Sequence, residues 1–156
     1  MHPRFLNAIS DLDGKLRTLL ACAPLAFGQL RVGMPERGVY LFSESGLHLY
    51  VGRSNRLRNR YFLHCRPGSR QNQASFAYKL AREALRITRA SYASDGATRS
   101  KLAETEPFLA SFAEAKTRIR TMEYRFVPEE DQVRQALLEA YCAIVLETPY
   151  NDFATH

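Results

Sequence analysis

The chain has 156 residues, 46% of them hydrophobic and 24% charged, enough for a globular domain with a real core. No apolar run approaches the roughly 20 residues of a membrane span, and the charged N-terminus lacks the apolar stretch of a signal peptide. The net charge of +6 suggests a polyanionic partner, though many basic proteins bind none.

In chain order, Phe5, Ile9, Leu12, Leu16, Leu19 and Leu20 recur at helical spacing, which predicts one amphipathic helix over about 4–22, with Pro3 in its first turn. Pro24, Gly28, Gly33 and Pro35 mark a connecting loop. Gly38 to Phe42 and Leu47 to Gly52 are two apolar runs rich in β-formers, joined by the polar turn Ser43-Glu44-Ser45-Gly46, and read as a hairpin. Ser54 or Asn55 then caps a helix over about 56–64, with Arg56, Arg60 and His64 four apart on one face. Tyr40 and Tyr50 on the strands, beside that stripe of arginine and histidine, suit a phosphate pocket better than a core.

Residues 66–73 form a polar loop carrying Arg66, Arg70, Gln71, Asn72 and Gln73. A second helix is expected over about 74–92, burying Phe76, Leu80, Ala84 and Ile87. Its other side bears Lys79, Arg82, Arg86 and Arg89, either an extension of a basic surface or a solvated face. Asp95-Gly96 breaks the chain. A third helical region follows over about 100–116, interrupted or restarted near Pro107, with Phe108, Leu109 and Phe112 inward. From Arg118 to Val127 the period becomes two, a third strand ended by Pro128. A last helix runs from Asp131 to about Leu146, with Val133, Leu137, Ala140, Tyr141 and Ile144 as its apolar positions. The expected architecture is α/β (α+β): a small three-stranded, mainly antiparallel sheet flanked by helices.

Two features carry chemistry. Between Glu44 and Glu83 no acidic residue occurs, while Arg53, Arg56, Arg58, Arg60, Arg66, Arg70, Lys79 and Arg82 all fall there. Such a block is what tracking phosphates requires, although a solvated basic face would read the same. Glu139 is the only charge in the apolar run 136–146, so its carboxylate must be exposed, paired or bound to a cation. The three cysteines, Cys22, Cys65 and Cys142, are odd in number and far apart, which suits a reducing cytosol; neither they nor the histidines have zinc spacing.

Gly38-Val39-Tyr40 followed by Tyr50-Val51-Gly52 resembles the signature of the GIY-YIG nuclease superfamily. Arg53, Arg60 and His64 stand where that family carries a basic residue, an arginine and a tyrosine or histidine, and Glu139 with Asn151 resembles its C-terminal pair. The likeness covers Gly38 to Asn151. It implies one nuclease domain with an N-terminal helical extension (1–37), the hairpin and first helix (38–64), a helical insert (65–117), and the third strand with the Glu-bearing helix (118–156). It departs from the family in reading GVY and YVG, in having arginine at 53 where lysine is common, and in the length of the insert.

The resemblance implies a cytoplasmic, metal-dependent DNA endonuclease acting in repair, recombination or restriction. Glu139 would hold one Mg²⁺ or Mn²⁺, with water and substrate phosphate completing the shell. Arg60 would stabilise charge on the phosphate, and Tyr40 would activate water as base or relay, tuned by Arg53. Tyr50 and His64 would orient that network, and Asn151 would brace it. Arg56, Arg58, Arg66, Arg70, Lys79 and Arg82 would contact DNA. The substrate and the oligomeric state stay open, and an inactive nucleic-acid-binding module on the same fold is the alternative.

Overall fold

The computed structural model describes residues 1–85 and 106–153. By internal contacts the chain divides into two compact units: Met1–Arg60 with Met122–His156, and Tyr61–Thr121.

The first unit is built on an antiparallel sheet of β1 (Gly38–Glu44), β2 (Leu47–Ser54) and β3 (Glu123–Pro128), in the order β2-β1-β3. The expected α/β architecture is the one found. Ser45 and Gly46 form the hairpin turn, with φ of 52° and 78°. Positive φ at both central residues is the backbone of a type I′ turn, whose twist matches that of paired strands. The pairing sets Tyr40 opposite Gly52 on β2 and Phe126 on β3, and Leu41 opposite Val51 and Arg125.

Because side chains alternate along a strand, this register gives the sheet two unlike faces. Val39, Leu41, Val51 and Val127 share one face and pack with Leu16, Leu19, Leu138 and Cys142 in a single apolar cluster. Those partners come from α2 (Leu12–Ala21) and α6 (Gln132–Val145). The opposite face carries Tyr40, Phe42, Tyr50, Tyr124 and Phe126. Both sheet edges are covered by short pairings, which blunts their tendency to recruit foreign strands. Leu25 exchanges two backbone hydrogen bonds with Tyr124 at 2.8 and 2.9 Å on the β3 edge. On the β2 edge, Tyr150 N donates to Leu49 O at 3.2 Å.

The N-terminal segment is two helices, α1 (Pro3–Ile9) and α2, where the sequence predicts one. Ser10 turns back so that its hydroxyl donates to Asn7 O at 2.9 Å, local competition of a kind that ends helices. Phe5 and Leu20 are consequently exposed, leaving Leu16 and Leu19 to pack. In α6 the buried residues are Gln135, Leu138, Cys142 and Ala143, while Val133 and Ile144 are exposed, so the buried face is rotated from the expected one. Gln135 fixes that rotation by donating from Nε2 to Asn55 Oδ1 at 3.1 Å and to Glu129 O at 2.8 Å. The Asp131 carboxylate caps α6 by accepting from Arg134 N at 2.8 Å.

Helix α3 (Leu57–Cys65) begins in the first unit and ends in the second. Ser54 Oγ accepts from Arg56 N at 2.9 Å in the turn just ahead of the helix, and Leu57 N donates to Glu36 O at 2.8 Å. The second unit also contains α4 (Ser75–Ala84) and α5 (Glu106–Arg120). Phe108 bridges Tyr78 on α4 and Phe112 on α5, at ring-centroid distances of 5.4 and 5.8 Å. Leu109 points outward, not inward as expected, and so does Ala84. The residues from Arg118 to Arg120 belong to α5, so β3 begins at Glu123 and not at 118. Pro107 lies in the first turn of α5, where its missing N–H costs no bond. Ile87, Arg86, Arg89, Asp95 and Gly96 lie outside the described residues. No described helix is long and apolar enough to cross a membrane.

Candidate active site

Tyr40 is 1% exposed, and its phenol ring extends across β2 at Gly52. A Cβ at position 52 would run into the Tyr40 Oη and ring, so the second motif needs glycine to let the hydroxyl through. The ring packs against Tyr50 and Tyr124 at centroid distances of 6.4 and 5.7 Å. Arg60 Nε approaches Tyr40 Oη at 3.4 Å from the first turns of α3.

Burial is the largest influence on the Tyr40 hydroxyl and pushes its pKa well above the usual phenol value. Tyr50 and, more weakly, Glu139 push in the same direction, and only Arg60 opposes them. Tyr40 is therefore a proton donor at neutral pH. Burial of Arg60 would weaken its hold on its proton, but the hydroxyls of Tyr40 and Tyr50 more than offset this. Arg60 is thus a fixed, half-buried cation with two phenols on it.

Glu139 projects from α6 towards β2, where its Oε2 accepts from Arg53 Nε at 3.1 Å. Its side chain is 24% exposed and that of Arg53 is 44% exposed. The sequence reading sets Arg53 beside Tyr40, whereas the structure gives that place to Arg60. Alternation along β2 explains the exchange, since residue 53 shares a face with Val51 and not with Tyr50.

Asn151 closes the β2 edge like a strand of one residue. Its Oδ1 accepts from Val51 N and its Nδ2 donates to Val51 O, each at 2.8 Å. Thr148 Oγ1 donates to the same Oδ1 at 2.8 Å. This amide pins the exit of α6 to the strand between Tyr50 and Gly52. Thr148 and Tyr124 support the site without standing out in the sequence; neither belongs to a spaced motif.

Tyr40, Tyr50, Arg53, Arg60, Glu139 and Asn151 all belong to the first unit. His64 belongs to the second and is fully buried near the end of α3. Of the arginines expected on DNA, Arg56 and Arg58 are exposed on the first unit, and Arg66 and Arg70 are exposed on the second. Lys79 and Arg82 are half-buried, and the Arg82 guanidinium lies 5.8 Å from the Tyr78 ring centroid. The loop bearing Arg66 and Arg70 is tied down by buried Lys116, whose Nζ donates to Pro67 O at 2.6 Å and Ser69 O at 3.0 Å.

Among the described residues, no three His, Cys, Asp or Glu side chains converge as a metal cage. A single carboxylate fits a hard, strongly hydrated cation that keeps its waters and takes oxygen from a phosphate, and it fits no ion that needs several protein ligands. Glu139, half-buried and already facing a cation, has the chemistry for the former. The cysteines are free, and burial pushes the Cys142 thiol up to about 12, so it is a core group and not a nucleophile. No family model, curated protein or solved structure matches the chain.

Proposed function

We propose that the protein is a divalent-metal-dependent DNA endonuclease of the GIY-YIG type, working in the cytoplasm on repair, recombination or restriction substrates. The observation that carries this reading is the Tyr40 hydroxyl, threaded over Gly52 and met by the Arg60 guanidinium at 3.4 Å. A buried phenol beside a half-buried arginine is poor core material, and the two form a donor pair for a phosphate oxygen. The basic block and net charge of +6 supply attraction for a polyanion.

In this reading Arg60 donates to the non-bridging oxygens of the scissile phosphate and stabilises the charge that develops there. Tyr40, protonated at rest, donates a hydrogen bond to the attacking water or the phosphate. It acts as a relay; as a base it would first have to lose a proton that burial holds on it. Tyr50 shares the Arg60 guanidinium and keeps it in place. Glu139 would hold a magnesium or manganese ion, which supplies Lewis-acid stabilisation when bound. Arg53 orients that carboxylate, and Asn151 holds the strand. A role for His64 rests on the resemblance alone.

The test is cleavage of labelled single-stranded, duplex, forked, flapped and plasmid DNA in Mg²⁺, Mn²⁺ or EDTA, with wild type and Glu139→Ala side by side. Metal-dependent cutting that disappears in a folded Glu139→Ala protein, with DNA binding kept, is the expected result. Tight binding without cutting on every substrate would instead favour a binding module on the same fold. Absence of binding at modest salt would overturn both.

A further inference from the structure

The segment between α2 and β1 crosses the outer edge of β3 and borders an open cavity of about 530 Å³, lined by Cys22, Leu25, Arg31, Gly33, Met34 and Phe126 among others. That volume falls within the range of about 300–1,000 Å³ typical of small-ligand clefts. Its wall is apolar and sulfur-bearing, and of its described lining residues Arg31 alone is charged. Arg31 is exposed, whereas Phe126 is half-buried. A side chain at Gly33 would project into open space.

Phe126 also ends a row of rings on the tyrosine face. From Tyr40 to Tyr124 the centroid distance is 5.7 Å, and from Tyr124 to Phe126 it is 6.1 Å. The row therefore connects the candidate site to the cavity within one sheet. An aromatic ring, a thioether and aliphatic walls with one guanidinium at hand are what a flat heterocycle bearing a phosphate requires.

We propose that this cavity takes an unstacked nucleobase of single-stranded DNA, with Phe126 offering its ring and Arg31 meeting the adjoining phosphate. As a statement about substrate the inference rests on the endonuclease reading, which it narrows to strands with unpaired bases. A base inside a regular duplex is stacked and paired on all sides and cannot enter.

The experiment uses full-length protein carrying Glu139→Gln, so that binding is read without cutting. A short fluorescein-labelled single strand and a blunt hairpin duplex of the same sequence are titrated by anisotropy at fixed salt. Gly33→Phe adds a bulky side chain to the cavity wall, and Arg31→Ala removes only an exposed side chain; melting curves check that both variants fold. Each variant is expected to weaken single-strand binding about tenfold while duplex binding changes less than about twofold. An unchanged single-strand affinity, or equal losses on both probes, overturns the inference. Wild-type cleavage in Mg²⁺ is scored separately. Cutting with no selective loss sinks the inference and spares the nuclease, and selective loss without any cutting does the reverse.

Discussion

The two faces of the central sheet are made from alternate residues of the same strands, yet they are built to opposite rules. On one, Val39, Leu41, Val51 and Val127 pack with Leu16, Leu19, Leu138 and Cys142 from α2 and α6 in an apolar cluster, with Arg53 and Arg125 flanking it at the paired positions. On the other, Tyr40 and Tyr50 place hydroxyls around Arg60, and glycine stands where a side chain would block them. The first arrangement maximises apolar burial. The second accepts a desolvated cation and a phenol whose proton is held by burial, an expense that packing alone does not explain. The proposed phenol–guanidinium chemistry belongs to the tyrosine face, while the Arg53–Glu139 pair stands at the border of the aliphatic one.

Substitutions on neighbouring residues sharpen this division. Leu41→Ala opens a cavity in the aliphatic cluster and should cost about 2–5 kcal/mol in denaturant unfolding, with any cleavage lost only in proportion to unfolding. Gly52→Ala drives a methyl into the Tyr40 ring. It should cost about 1–3 kcal/mol, but it should remove cleavage far beyond that by displacing the hydroxyl. A Gly52→Ala protein cutting at the wild-type rate would refute the threading argument. Asn151→Ala strips the Val51 N–H and C=O of their partners on a half-covered edge, which should cost about 1–3 kcal/mol. Hydrogen exchange at Val51 would rise most.

The smallest effect is at the hairpin end, where His48 Nδ1 and Ser43 Oγ are 2.8 Å apart. Burial first, then Arg125, lowers the His48 pKa below its usual 6.5. The folded state thus binds its proton less readily than the unfolded chain. That contribution to stability is complete above pH 6.5 and declines as pH falls through the folded value. Thermal melts from pH 7.5 downwards should decline less for His48→Gln than for wild type, and identical slopes would remove His48 from the account.

Much of this was legible in the residues. Alternation and the Ser45-Gly46 turn give the hairpin, and Asp131 marks the start of α6. The face of α6 was not legible, because residues 136–146 are apolar on every side except Glu139; a buried glutamine with two acceptors decides the rotation. Nor was the end of α5, where Arg118 and Arg120 fit a helix and a strand equally well until Thr121 Oγ1 donates to Arg118 O at 2.7 Å. In the candidate site, the sequence offers Arg53 as the cation beside Tyr40, and the structure sets Arg60 there instead. Arg60 serves Tyr40 and Arg53 serves Glu139, and only pairing register separates them.

Tyr40→Phe removes one oxygen from the tyrosine face and leaves the ring packing intact. Cleavage rate and melting temperature would be measured on the same preparation, beside wild type. The account predicts a melting temperature within a few degrees of wild type and a cleavage rate lower by about a hundredfold or more. A Tyr40→Phe protein that cuts at the wild-type rate would contradict it, and the tyrosine face would then be a second core.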